Sequence, residues 1–263
     1  MPTLADTFAA LKAKGEKALV LYVTAGDPSL DQLPAILEAL VEGGADVIEV
    51  GVPFSDPIAD GPTIQASSQR ALDRGTRPGD VLEAVTKAQP SVPVVLMGYY
   101  NTMLRPGLSS FAQRAKAAGV GGVIVCDIIL EEADDWVKVS QAAGIDSVFL
   151  AAPTSTPERL RAVATNSTGF VYAVSRTGVT GAAQQAGDEV ARLVGDLKGM
   201  TDTPVCVGFG ISKPEHVAAV CQVADGAVIG SWLVDWLAQN WREGQGRADL
   251  VAAVKALKAA TLA

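Results

Sequence analysis

Eight short apolar runs set what this chain can fold into. They are ALVLYVT (18–24), DVIEV (46–50), VPVVLMG (92–98), GGVIVCD (121–127), DSVFLAA (146–152), GFVYAV (169–174), PVCVGF (204–209) and GAVIG (226–230). Each is too short for an ordinary helix. Each is rich in Val, Ile or Leu, as a strand buried on both faces of a parallel sheet must be. Helical periodicity fills the gaps. Leu33, Ile36, Leu37, Leu40 and Val41 form one stripe, stopped by Gly43 and Gly44. Phe111, Ala115 and Ala118 form a thinner stripe, and Leu250, Val251, Val254 and Leu257 another. Pro157 stands near the first position of a helix over 157–166, after Ser155. SKPE at 212–215 reads as a capping box.

Eight strands alternating with helices in 263 residues predict an α/β protein. The expected form is a (β/α)8 TIM barrel with an extra N-terminal helix, a single domain over 1–263. A doubly wound open sheet is the alternative. The N-terminal MPTLADTFAALKAKGEK is amphipathic and has no continuous apolar core, so it does not read as a secretory signal. No apolar stretch reaches the ~18 residues that span a membrane.

Charge narrows the partners. A net charge of -8 and a pI of about 4.7 argue against non-specific nucleic-acid binding. An anion would have to be held locally, by backbone N–H groups and helix N-termini. Cys126, Cys206 and Cys221 are widely spaced and form no CxxC, so free thiols in a reducing cytoplasm are expected. With His216 as its one histidine, the chain has no His cluster for a metal.

In such barrels the chemistry sits at the C-terminal ends of the strands. Strand side chains alternate faces. If Ile48 and Val50 point outward, Val47 and Glu49 point into the barrel. A carboxylate there is costly unless paired, neutralised or used. Burial would raise its pKa towards a range useful for proton transfer. An ion pair with a Lys or Arg inside the barrel is the alternative, but no predicted strand interior supplies one. Asp60 stands before a helix that Pro62 opens; it either caps that helix or shares the mouth with Glu49. The loop SRTGVTGA (175–182) is either a lid hinged at Gly178 and Gly181 or an ordinary polar loop. GFGIS (208–212) and GSW (230–232) follow the last two strands, where barrels commonly bind phosphate. Gly208 and Gly210 would permit close backbone approach, and Ser212 and Ser231 would bind phosphate or cap helices.

Together these pieces resemble the α subunit of tryptophan synthase. EVGVPFSDPIADGPTIQ (49–65) carries most of the resemblance. YVTAGDP (22–28), MGYYN (97–101), FLAAPTST (149–156), YAVSRTGVTG (172–181), VGFGISKPE (207–215) and DGAVIGS (225–231) follow in order. The resemblance implies a (β/α)8 lyase that cleaves indole-3-glycerol phosphate to indole and glyceraldehyde 3-phosphate. It implies Glu49 as the acid/base and Asp60 as the acceptor for the indole N–H. Tyr172 resembles an active-site tyrosine, and Thr180 a lid residue that orders Asp60. Gly181, Gly210 and Ser231 resemble phosphate-binding positions, with Ile211, Ser212 and Gly230 adjacent. Tyr22, Tyr99, Ile124 and Leu150 are expected on the indole-pocket wall. The family works as an αββα complex, so the implied partner is the β subunit, which carries pyridoxal phosphate; no cofactor is expected in this chain. The stretch around Asp56, Pro57 and Asn101 resembles the region that faces β. Ile129 departs from the family, which commonly has proline there. A stand-alone lyase, another phosphate-handling barrel and a non-catalytic subunit are the alternatives.

Overall fold

Every one of the eight runs forms strand. The structure, a computed structural model, describes residues 2–174, 183–208 and 210–262. Among them the strands are β1 (Ala18–Thr24), β2 (Val47–Gly51), β3 (Val94–Gly98), β4 (Val120–Val125), β5 (Asp146–Val148), β6 (Leu150–Ala151), β7 (Val171–Val174), β8 (Val205–Gly208) and β9 (Gly226–Ile229). The helices are α1 (Leu4–Lys14), α2 (Leu33–Gly43), α3 (Pro62–Asp73), α4 (Pro78–Ala88), α5 (Tyr100–Leu104) and α6 (Leu108–Ala117). They continue with α7 (Asp134–Ala143), α8 (Pro157–Asn166), α9 (Ala183–Lys198), α10 (Pro214–Cys221), α11 (Ser231–Asn240) and α12 (Arg247–Ala259). None of the described helices is long and apolar enough to cross a membrane.

All strand pairings are parallel, in the order β5-β4-β3-β2-β1-β9-β8-β7-β6. Only Phe149 separates β5 from β6, so one stretch of chain forms both ends of that order. The sheet therefore closes on itself into a (β/α)8 barrel, and the open doubly wound sheet is excluded. The sequence predicts one unbroken fifth strand; the structure divides it. The Phe149 N–H donates to the Ser167 hydroxyl (3.3 Å), while its carbonyl accepts from Tyr172 N–H (3.1 Å). One side of the residue thus leaves the backbone ladder.

The alternation expected for β2 is present and extends round the barrel. Leu19, Leu21, Val23, Ile48 and Val50 face outward into a layer shared with Ile36, Leu37 and Leu40 of α2 and Leu250, Val254 and Leu257 of α12. Val20, Val47, Val95, Ile124, Val148, Phe170 and Val228 face inward. Leu4, Phe8 and Leu11 of α1 join that inner layer, so the extra helix closes one end of the barrel. A capping box starts α1: Thr3 Oγ1 accepts from Asp6 N–H (3.0 Å) and Asp6 accepts from Thr3 N–H (3.2 Å).

The helix expected over 157–166 forms as α8 with Pro157 first, and Thr156 caps it, accepting from Arg159 N–H at 3.3 Å. Thr156→Ala is expected to cost about 1 kcal/mol, read as a lower denaturant midpoint at unchanged m-value. The capping box at 212–215 does not form. Pro214 takes the first helical position and holds Lys213 extended (φ −136°, ψ 156°), so Lys213 becomes the cap residue and Ser212 falls one position too early. Ser231 does not cap either: it is the first residue of α11, after Gly230.

Candidate active site

The parallel register places Glu49 between Tyr22 of β1 and Val95 of β3. Its side chain enters the barrel interior and is 1% exposed. Among the described residues no Lys or Arg pairs with it, and its Oε2 has no hydrogen-bond partner. The ion-pair alternative therefore has no support there. Burial, and secondarily the charge of Asp60, push the Glu49 carboxyl from 4.5 up to about 8.

Glu49 opens into a cavity of about 530 Å³ that Asp60 also lines. The β2–α3 loop holds Asp60 there. Asp60 N–H donates to the Pro57 carbonyl (3.1 Å), and Gln65 Nε2 donates back to the Asp60 carbonyl (2.9 Å). Gly61, with Pro62 behind it, stands at the cap of α3 without any side-chain cap, so the Asp60 carboxyl is not used for capping. Burial raises that carboxyl from 3.8 to about 6, and the Tyr99 hydroxyl partly offsets the rise.

Tyr99 is not on the cavity wall, contrary to the sequence expectation. It stands behind the loop: its hydroxyl accepts from Ala59 N–H (3.0 Å) and its ring stacks on Phe54 at 4.8 Å. Alternation holds only within the strand; β3 ends at Gly98, and Tyr99 is the cap residue of α5.

The other expected wall residues, Tyr22, Ile124 and Leu150, line the cavity, and so does Tyr172. Gly208 serves a purpose the sequence did not suggest. A Cβ there would overlap the Tyr172 hydroxyl, as one at Gly51 would overlap the Tyr22 hydroxyl. These two glycines let the tyrosines lie across the neighbouring strand. Burial raises both phenols well above their ordinary pKa, so both are neutral. Gly210, Ile211, Ser212, Gly230 and Ser231 all border the same cavity. Gly210 is left-handed at φ 73°. Thr180 and Gly181 lie outside the described residues, with the whole of 175–182.

Sequence reasoning missed Met97, Cys126, Ile64, Val174, Trp232 and Asp235, which also line the cavity. Met97 and Cys126 follow the inward-facing Val95 and Ile124 by two positions, so period-two alternation would have found them. Trp232 and Asp235 come from α11; Trp232 ends the GSW motif but was given no role, and Asp235 had no local signal. Asp235 accepts from the Thr63 hydroxyl at 3.3 Å, which ties α11 to the start of α3.

A family model described as "Tryptophan synthase alpha chain" matches residues 8–262. The chain belongs to that family. The tryptophan synthase alpha chain of Solibacter usitatus is 49% identical over 242 residues, 91% of each chain. That of Laribacter hongkongensis is 51% identical over 237 residues, covering 89% of this chain and 90% of the relative. A chain of Mycobacterium tuberculosis tryptophan synthase, solved in an aminoacrylate-bound form, superposes with a TM-score of 0.88 at 39% identity over 98% of both chains. The alpha subunit from Legionella pneumophila gives 0.90 at 34% identity over 99% of this chain and 98% of that one. The family's reaction is a lyase step of tryptophan biosynthesis, cleavage of indole-3-glycerol phosphate. The alpha chain has no cofactor of its own; pyridoxal phosphate belongs to the beta subunit, with which it assembles.

Proposed function

We propose that Glu49 and Asp60 divide the cleavage between them, and that the rim of the cavity holds the phosphate. One observation carries this reading: a buried carboxylate with an unpartnered Oε2 shares a cavity with a second carboxylate, and their pKa values lie on either side of neutrality. At neutral pH Glu49 is protonated and Asp60 ionised. Glu49 gives its proton to C3 of the indole ring, leaving positive charge on the ring nitrogen. Asp60 accepts the N–H hydrogen bond and offsets that charge. The Glu49 carboxylate then takes the proton of the hydroxyl next to the ring. The C–C bond breaks, its electrons return to the ring, and indole and glyceraldehyde 3-phosphate leave. Glu49 ends protonated, as it began.

The phosphate would lie against Gly210, Ile211, Ser212, Gly230 and Ser231, where α11 starts without a side-chain cap and its free N–H groups could receive an anion. Tyr172 lines the cavity from β7, across the barrel from Glu49 on β2, and Thr180 and Gly181 would close over the ligand from the 175–182 loop. The beta subunit would dock near Asp56, Pro57 and Asn101. Ile58 supports this, because a large apolar side chain is 85% exposed beside them. Residues 1–263 would act as one domain, in the cytoplasm.

Indole release from indole-3-glycerol phosphate, with and without beta subunit, tests the reading. kcat/KM should be bell-shaped, falling below about pH 6 as Asp60 protonates and above about pH 8 as Glu49 ionises. Asp60→Asn should lower kcat by roughly 10²-fold and remove the acid limb. An unchanged acid limb in that variant would refute the role given to Asp60.

A further inference from the structure

A buried chain of hydroxyls runs outward from the cavity wall. The Tyr22 hydroxyl is 3.2 Å from Thr24 Oγ1, and Thr24 Oγ1 is 2.6 Å from Ser67 Oγ. Ser67 Oγ donates to the Ile64 carbonyl at 2.8 Å. A carbonyl oxygen can only accept, so the single Ser67 proton is committed to it. Ser67 must then accept from Thr24, and Thr24, its own proton used, must accept from Tyr22. Tyr22, Thr24 and Ser67 are 5%, 2% and 0% exposed, which leaves little opening for water to reverse this order. The Tyr22 proton therefore points away from the cavity that Tyr22 lines, and its hydroxyl offers the cavity only a lone pair.

The place of that lone pair matters. β1 lies between β2 and β9. Tyr22 is in register with Glu49 on one side, and on the other its Cβ lies 3.6 Å from where a Cβ would stand on Gly230. With phosphate at Gly230 and Ser231 and the reacting carbon at Glu49, the glycerol chain of the substrate has to cross β1. Of its two hydroxyls, the one beside the breaking bond is served by Glu49. The roles given above assign the central hydroxyl no partner.

We propose that the Tyr22 hydroxyl accepts a hydrogen bond from the central hydroxyl of the glycerol chain. Tyr22 thus recognises the polar linker of the substrate and is more than a face for the indole ring. Its direction comes from the Ile64 carbonyl, two hydroxyls away. The inference rests on the placement of phosphate and reacting carbon given above.

Calorimetric binding in the Glu49→Gln background tests it, because the substrate is not consumed there. Indole-3-glycerol phosphate is compared with indole-3-propanol phosphate, which keeps the ring and the phosphate but has no chain hydroxyl. Adding Tyr22→Phe should weaken binding of the first about tenfold and leave the second unchanged. Equal weakening of both would make Tyr22 a structural support only, and no change in either would remove the contact; each overturns the proposal. If neither ligand binds while Tyr22 is in place, the placement on which the proposal rests fails instead.

Discussion

Glu49→Gln should reduce indole formation by about 10²–10⁴-fold, the range for losing a positioned acid/base. The amide fits the space of the carboxyl. It cannot give a proton to indole C3, and it cannot take one back from the hydroxyl. Two proton transfers at one residue are lost together, so the beta subunit should not restore the rate. The fold should survive, because Glu49 makes no ion pair among the described residues and its Oε2 no hydrogen bond. Single-turnover indole release, read beside far-UV circular dichroism and thermal unfolding, separates the two effects. Near-normal release would remove Glu49 from the chemistry, and an unfolded variant would make its role structural.

The second large effect is on stability. The Glu49 carboxyl titrates near 4.5 when solvated and near 8 in the folded chain. Below pH 4.5 both states hold the proton and this group adds no pH dependence to stability. Between 4.5 and 8 the unfolded chain has released the proton while the folded chain keeps it. Stability therefore falls as pH rises, by about 1.4 kcal/mol per pH unit within that window. Above pH 8 the loss is complete, at roughly 4–5 kcal/mol. Asp60 contributes in the same direction at lower pH, less strongly because it is only partly buried. Glu49→Gln removes the Glu49 contribution alone. The variant should thus gain on the parent chain steadily from pH 5 to pH 8 in urea unfolding. Parallel curves for the two proteins would show that Glu49 is not held protonated.

The two predictions pull in opposite directions on one residue. Activity needs a carboxyl that stability disfavours at neutral and alkaline pH. This is the balance expected where a buried polar group is retained for chemistry. Burial and the Asp60 charge supply the raised pKa, and Oε2, without a partner, is left open to a ligand.

Much of this was legible in the chain itself. Eight β-branched runs and the helical stripes between them specify a barrel, because periods of 2 and 3.6 are local geometry. The same alternation put Glu49 inside and Ile48 and Val50 outside before any contact was known. Pro62 marked the start of α3, and Gly44 the end of α2, through backbone preferences that belong to single residues. Other features depended on groups far apart in sequence. Phe149 leaves its ladder because the Ser167 hydroxyl takes its N–H. Tyr99 braces the Asp60 loop because its ring meets Phe54, which no periodicity encodes. Gly208 and Gly51 are small for the sake of tyrosines on neighbouring strands. The raised pKa of Glu49 follows from burial by the whole barrel, and the direction of the Tyr22 hydroxyl from a residue 43 positions beyond Thr24. Local pattern decides which face a side chain takes; only the closed barrel decides what stands opposite it, and hence its proton.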